Sequence, residues 1–118
     1  MEYMLLICSN ESDWQKLTPA QTQEMVGAYR AYTEALEQAG VLRGSNRLRP
    51  ASSATRVRVN GGRTEVLNGP YAETREQLGG YYLIDVPDLD AAIQWAARCP
   101  SASYGTVEVR PVWPAGEY

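Results

Sequence analysis

A chain of 118 residues has room for one domain with one hydrophobic core, and at this size it needs neither disulfide nor metal to hold it. It contains no histidine and no phenylalanine beside eight tyrosines and three tryptophans, which excludes every mechanism that uses imidazole as base or metal ligand. The net charge of −3 argues against nucleic acid as a partner.

Residues 3–8 form an apolar run that predicts a fully buried strand, and Asn10 to Asp13 read as a turn. A helix follows, with Thr18 as N-cap, Pro19 in its first position and Gln21 completing a capping box. Met25, Ala28, Tyr29, Tyr32, Ala35, Leu36 and Ala39 lie on one stripe of that helix, and Gly40 suits its C-terminal end. Tyr29 and Tyr32 read as packing residues. Residues 41–54 show no period and predict a long connection.

From Thr55 to Val59, Val57 and Val59 alternate with Arg56 and Arg58, the pattern of a half-buried strand. Asn60-Gly61-Gly62 is a hairpin turn, and Arg63 to Leu67 returns as the partner strand. Asn68-Gly69-Pro70 ends the pairing, and Ala72 to Leu78 predict a short helical turn. Tyr81 to Val86 is the next strand. Asp88 then caps a second helix whose stripe is Leu89, Ala92, Ile93 and Ala96, and Cys99-Pro100 ends it. Thr106 to Val112 is the last strand, with Val107 and Val109 opposite Glu108 and Arg110.

This order predicts an α+β, ferredoxin-like split βαβ domain over residues 1–118, carrying an extra hairpin. Two helices on one face leave the other face of the antiparallel sheet uncovered, so a homodimer that stacks the two sheets is expected. No apolar segment approaches the ~20 residues that span a bilayer, and the N-terminal run is too short for a signal peptide. The expectation is a cytoplasmic protein without membrane contact. Cys8 and Cys99 lie far apart with no metal or redox spacing, so free buried thiols are expected. No phosphate loop, nucleophile elbow, dinucleotide fingerprint or zinc motif occurs, and no cofactor and no metal is predicted.

Charge is unevenly distributed. Residues 38–64 contain Arg43, Arg47, Arg49, Arg56, Arg58 and Arg63 and no acid, while the remainder holds five cations against fourteen acids. The run reads as a solvated hairpin and loop, or as a surface for an anionic ligand or acidic partner.

The stretch from Asn68-Gly69-Pro70-Tyr71-Ala72-Glu73-Thr74-Arg75-Glu76-Gln77-Leu78 to Gly79-Gly80-Tyr81-Tyr82 resembles the YCII-related family in its DGPF-domain branch. Asp85-Val86-Pro87-Asp88-Leu89-Asp90, Glu108-Val109-Arg110-Pro111-Val112 and the opening Tyr3-Met4-Leu5-Leu6 are similar to that branch too. The resemblance implies a dimeric α/β barrel of ferredoxin-like protomers. Some relatives are small-molecule lyases, many members have no known activity, and many genes of this branch lie beside extracytoplasmic-function sigma factors. A His–Asp acid/base couple is proposed for YCII-type members. Here histidine is absent and Asn68 stands at the acid position, with Tyr71 in place of the phenylalanine. An amide does not titrate, so that chemistry does not carry over.

The residues left for chemistry are few. Gly69-Pro70 reads as a chain reversal with Asn68 as its turn residue, or as a rim from which Asn68 and Tyr71 meet a ligand. Glu108 and Arg110 share one strand face, either as a structural ion pair or as an acid/base and a carboxylate clamp. Tyr82 is placed on that face as a phenol donor, or in the core with its hydroxyl satisfied. These readings point to a homodimeric small-molecule-binding protein for a small anionic or aromatic ligand. Lyase or isomerase chemistry without a cofactor, through Glu108, Arg110 and Tyr82, is one form of it. The alternative is a non-catalytic accessory or interaction protein.

Overall fold

The computed structural model describes residues 1–118. Strand β1 (Glu2–Ser9) alternates strictly, turning Tyr3, Leu5, Ile7 and Ser9 into the core while Met4, Leu6 and Cys8 stay half-buried on the other side. It is therefore covered on one face only, in contrast to the fully buried strand predicted. Both cysteines are free; Cys99 is buried and Cys8 only half so. Strands β5 (Gln77–Asp85) and β6 (Thr106–Pro111) pair antiparallel with β1, and β2 (Leu42–Arg47) pairs antiparallel with β5. The sheet order β2-β5-β1-β6 is that of a ferredoxin-like split βαβ domain.

Helices α2 (Pro19–Gln38) and α3 (Leu89–Arg98) supply Tyr32, Leu36, Ala92 and Ala96 to a single core with Leu5, Tyr82, Ile84 and Val86. Their ends are set as the sequence predicts. The Gln21 amide donates to Thr18 Oγ1 at 3.2 Å and the Thr18 amide to Gln21 Oε1 at 2.9 Å, and Gly40 takes a φ of +73° just past α2. The Ala91 amide donates to Asp88 Oδ1 at 2.9 Å, which caps α3. The sheet of one chain is open, so a closed barrel requires a second copy.

Other stretches differ from expectation as well. Residues 42–47 form the edge strand β2, whose alternation is broken by a register shift between Leu42 and Gly44, so no period of two survives in the sequence. Residues 11–15 form a short helix, α1, where a turn was predicted. Residues 72–76 are not helical, because the Thr74 hydroxyl donates to the Glu76 carbonyl and Gln77 Nε2 to the Thr74 carbonyl, satisfying backbone groups locally. On α3, Ala92 and Ala96 are buried, but Leu89 and Ile93 are exposed, because Ala91 and Trp95 take the partly covered positions.

Strands β3 (Thr55–Asn60) and β4 (Arg63–Asn68) form the expected hairpin, closed by Gly61 and Gly62 with φ of +58° and +79°. The expected half-burial is absent: nothing in the chain covers the valine face. No helix is long and apolar enough to cross a membrane.

Candidate functional site

The helix-covered side of the sheet does not close completely. Between α1, the first half of α2, and the ends of β2 and β5 lies a cavity of about 520 Å³, the size range of small-molecule sites. Its floor includes Ile7, Gly80 and Tyr82, and its walls include Trp14 of α1, Tyr29 of α2, Arg47 of β2 and Ser101. Asn10 holds α1 in place by accepting from the Ser12 amide at 3.0 Å, and that short helix sets Trp14 against the cavity.

Two charged side chains line the cavity, Glu11 and Arg47. Glu11 Oε1 accepts from the Ala51 amide at 2.8 Å, so this carboxylate is partly occupied in anchoring the chain that leads into β3. The Arg47 guanidinium forms no ion pair and stands 5.1 Å from the Trp14 ring centroid. Its charge is therefore free for an incoming anion.

Hydroxyl groups supply the other polar edge. Tyr29 OH pairs with the buried Ser101 Oγ, which lies 3.1 Å from Tyr104 OH. Burial pushes the Tyr29 phenol well above its ordinary value, and the bond to Ser101 offsets this only in part. Tyr82 OH meets Thr33 Oγ1 at 2.8 Å, and burial raises its phenol as well. These phenols stay protonated, acting as hydrogen-bond donors rather than bases.

Of the five residues assigned to chemistry or ligand binding from the sequence, only Tyr82 lines the cavity. It does not share the face of Glu108 and Arg110. Tyr82 pairs with Leu5 and faces the helices, whereas Glu108 pairs with Leu6 on the open side, where Tyr81 is its counterpart. The register shift between Ile7 and Cys8 leaves this parity intact at Tyr82, so the side is set by the Leu5 pairing. Glu108 Oε2 and Arg110 Nε are 3.8 Å apart and exposed in the single chain, at 57% and 70%. Asn68 is exposed at the end of β4, and Gly69 there has a φ of +95° with its amide donating to the Ala54 carbonyl at 2.7 Å. This bond carries the β3–β4 pairing one step beyond Asn68, and Tyr71 past it is 82% exposed. The structure thus brings Glu108 and Arg110 together, and sets Asn68 and Tyr71 on the hairpin side, outside the cavity.

Sequence reasoning missed Trp14 and Ser101, took Tyr29 for packing, and named Arg47 only within a basic run read as a solvated surface or one for an anionic ligand or acidic partner. A tryptophan inside an otherwise polar turn was the available signal, since a solvated turn has no use for an indole.

A protein of Rhizobium meliloti (strain 1021), itself described as uncharacterised, is 36% identical to the chain over 114 residues, covering 95% of this chain and 92% of that protein. The match runs through α1, the cavity floor and β6 alike. The profile of the YCII-related domain matches residues 1–115, which takes in every strand and helix described above. With the ferredoxin-like order of the sheet, this coverage leads to one conclusion: the chain belongs to the YCII-related family.

Proposed function

We propose that this protein binds a small aromatic carboxylate in the cavity between its helices and sheet, and that it does so as a homodimer. The observation that carries the reading is the Arg47 guanidinium, without an ion pair and 5.1 Å from the Trp14 ring centroid, at the wall of a 520 Å³ cavity. A planar acid suits this wall, with its carboxylate on Arg47 and its ring beside the indole. At the other edge, with the Ser101 hydroxyl donating to Tyr29, the Tyr29 O–H is free for a ligand oxygen.

Binding is the role this wall supports best, because its phenols do not give up protons near neutral pH. A lyase or isomerase step on the same ligand would take its proton acceptor from Glu11, the one carboxylate on the wall. The homodimer reading is supported by the open sheet face, where Met4, Leu6, Tyr81 and Leu83 flank the Glu108–Arg110 pair without a covering layer.

Titration of the tryptophan fluorescence with benzoate and phenylacetate, and with the matching uncharged amides, tests the reading. Saturable quenching by the acids that is lost in Arg47→Ala is expected. Equal responses to acids and amides, or no saturable response to either, would overturn it.

A further inference from the structure

The cavity wall carries two kinds of polar group. Arg47 and Glu11 are its only charged residues. Where Tyr29 and Ser101 line it, the polar groups are hydroxyls joined in a row, Tyr29 OH to Ser101 Oγ and Ser101 Oγ to Tyr104 OH at 3.1 Å. The row stops at sulfur on both sides. Tyr104 OH donates to Met25 Sδ at 3.4 Å, and the Cys99 thiol approaches Tyr29 OH at 3.9 Å. Sulfur is a weak hydrogen-bond partner, and a hydroxyl has one proton to give and two lone pairs to fill. Tyr29 OH is therefore left with bonding capacity whichever way the row runs. With Ser101 donating to it, its proton is unspent; with Tyr29 donating to Ser101, a lone pair is. Burial keeps this phenol protonated, so this part of the wall stays uncharged.

We propose that Tyr29 is a specificity-determining residue, and that the ligand class it selects is an aromatic monocarboxylate bearing an uncharged hydroxyl on its ring. The proposal rests on the aromatic-carboxylate reading and narrows it. Trp14 neighbours both recognition groups, with the Arg47 guanidinium carbon 5.1 Å and the Tyr29 ring centre 6.5 Å from its ring centroid. A ligand ring beside the indole therefore has the carboxylate clamp and the phenol as neighbours. A ring hydroxyl both donates and accepts, so it satisfies Tyr29 in either direction of the row. An alkyl substituent in its place would desolvate Tyr29 without returning a hydrogen bond, which costs affinity. A second carboxylate fares worse: Arg47 is the one cation on the wall, and the other charged group there, Glu11, repels an anion.

Calorimetric titration of the full chain with meta- and para-hydroxybenzoate, the two corresponding methylbenzoates and terephthalate tests this. Hydroxyl and methyl are close in size, so each pair reports the hydrogen bond alone. One hydroxybenzoate is expected to bind roughly tenfold tighter than its methyl counterpart, with terephthalate weaker than either. In Tyr29→Phe, which keeps the ring beside Trp14, the hydroxy and methyl acids should bind alike, at about the affinity of the methyl acid for wild type. Hydroxy and methyl acids that bind wild type equally overturn the role of Tyr29 and leave the carboxylate site standing. A hydroxyl preference that survives in Tyr29→Phe does the same, because another group then makes the contact. Terephthalate binding as tightly as the hydroxy acids overturns the monocarboxylate class. Failure of every acid to bind overturns this selectivity together with the site itself. The wild-type comparison needs no variant, so it decides even where Tyr29→Phe does not fold.

Discussion

Arg47 and Trp14 meet across the cavity wall, the guanidinium carbon 5.1 Å from the indole centroid, and Arg47 forms no ion pair. An exposed contact of this kind contributes about 0.5–1 kcal/mol to stability. Arg47→Ala is therefore expected to lower the melting temperature only slightly while abolishing carboxylate binding. Arg47→Lys should bind poorly too, since an ammonium does not grip a carboxylate with two parallel bonds. Calorimetric titration of both variants alongside their melts separates the two effects; equal binding by Arg47→Lys and wild type would count against the two-bond clamp.

Gly80 and Gly79 are neighbours with opposite tolerance. A methyl group on Gly80 would come within 2.7 Å of the Asn46 carbonyl, whereas on Gly79 its nearest neighbour is Ile7 O at 3.8 Å. Gly80→Ala must push edge strand β2 away from β5 and is expected to cost about 1–3 kcal/mol. Gly79→Ala should stay within about 0.5 kcal/mol of wild type. Urea denaturation of the two variants checks the contrast. Because Gly80 also floors the cavity, Gly80→Ala should weaken ligand binding as well.

Alkaline pH should unfold the protein through its tyrosines. Burial raises the phenols of Tyr29, Tyr32 and Tyr82 above the ordinary value of 10.0. Above that value the unfolded chain releases protons that the folded chain retains, so stability is whole below about pH 10 and declines as pH climbs further. Phenolate absorbance is expected to show these three groups ionising together with unfolding. Ionisation of these three phenols in the still-folded protein would contradict it.

Tyr82→Phe removes the partner of Thr33 Oγ1 but leaves that hydroxyl donating to the Tyr29 carbonyl at 2.9 Å. The edge-to-face packing of Tyr82 on Tyr32, with ring centroids 5.2 Å apart, also survives. The expected loss is about 1 kcal/mol, the net worth of one hydrogen bond. Chemical denaturation measures it, and a loss several times larger would mean that the hydroxyl organises more of the cavity than Thr33.

Arg110→Ala distinguishes the two states of its ion pair. In the single chain the 3.8 Å contact with Glu108 is exposed and worth at most about 1 kcal/mol. At concentrations that keep the chain monomeric, its melt should match wild type. Once a second sheet covers the pair, Glu108 is left without its partner and dimerisation should weaken. Dissociation constants for variant and wild type that agree would place the pair outside the interface.

Local chemistry determined much of this fold from the sequence alone. Thr18, Pro19 and Gln21 start α2, Asp88 starts α3, Gly61 and Gly62 turn the ribbon, and the pattern of β6 shows which of its residues face inward. Each signal lies within a few residues of the structure it controls. The tertiary structure decided what depends on residues distant in the chain. A register shift hid β2, the pairing of Tyr82 with Leu5 turned that phenol to the helices and away from Glu108, and packing brought Trp14, Tyr29, Arg47 and Ser101 around one cavity. The valines of the ribbon are the clearest case. Their alternation predicts a surface to be buried, but burial needs a second surface, and one chain does not supply it.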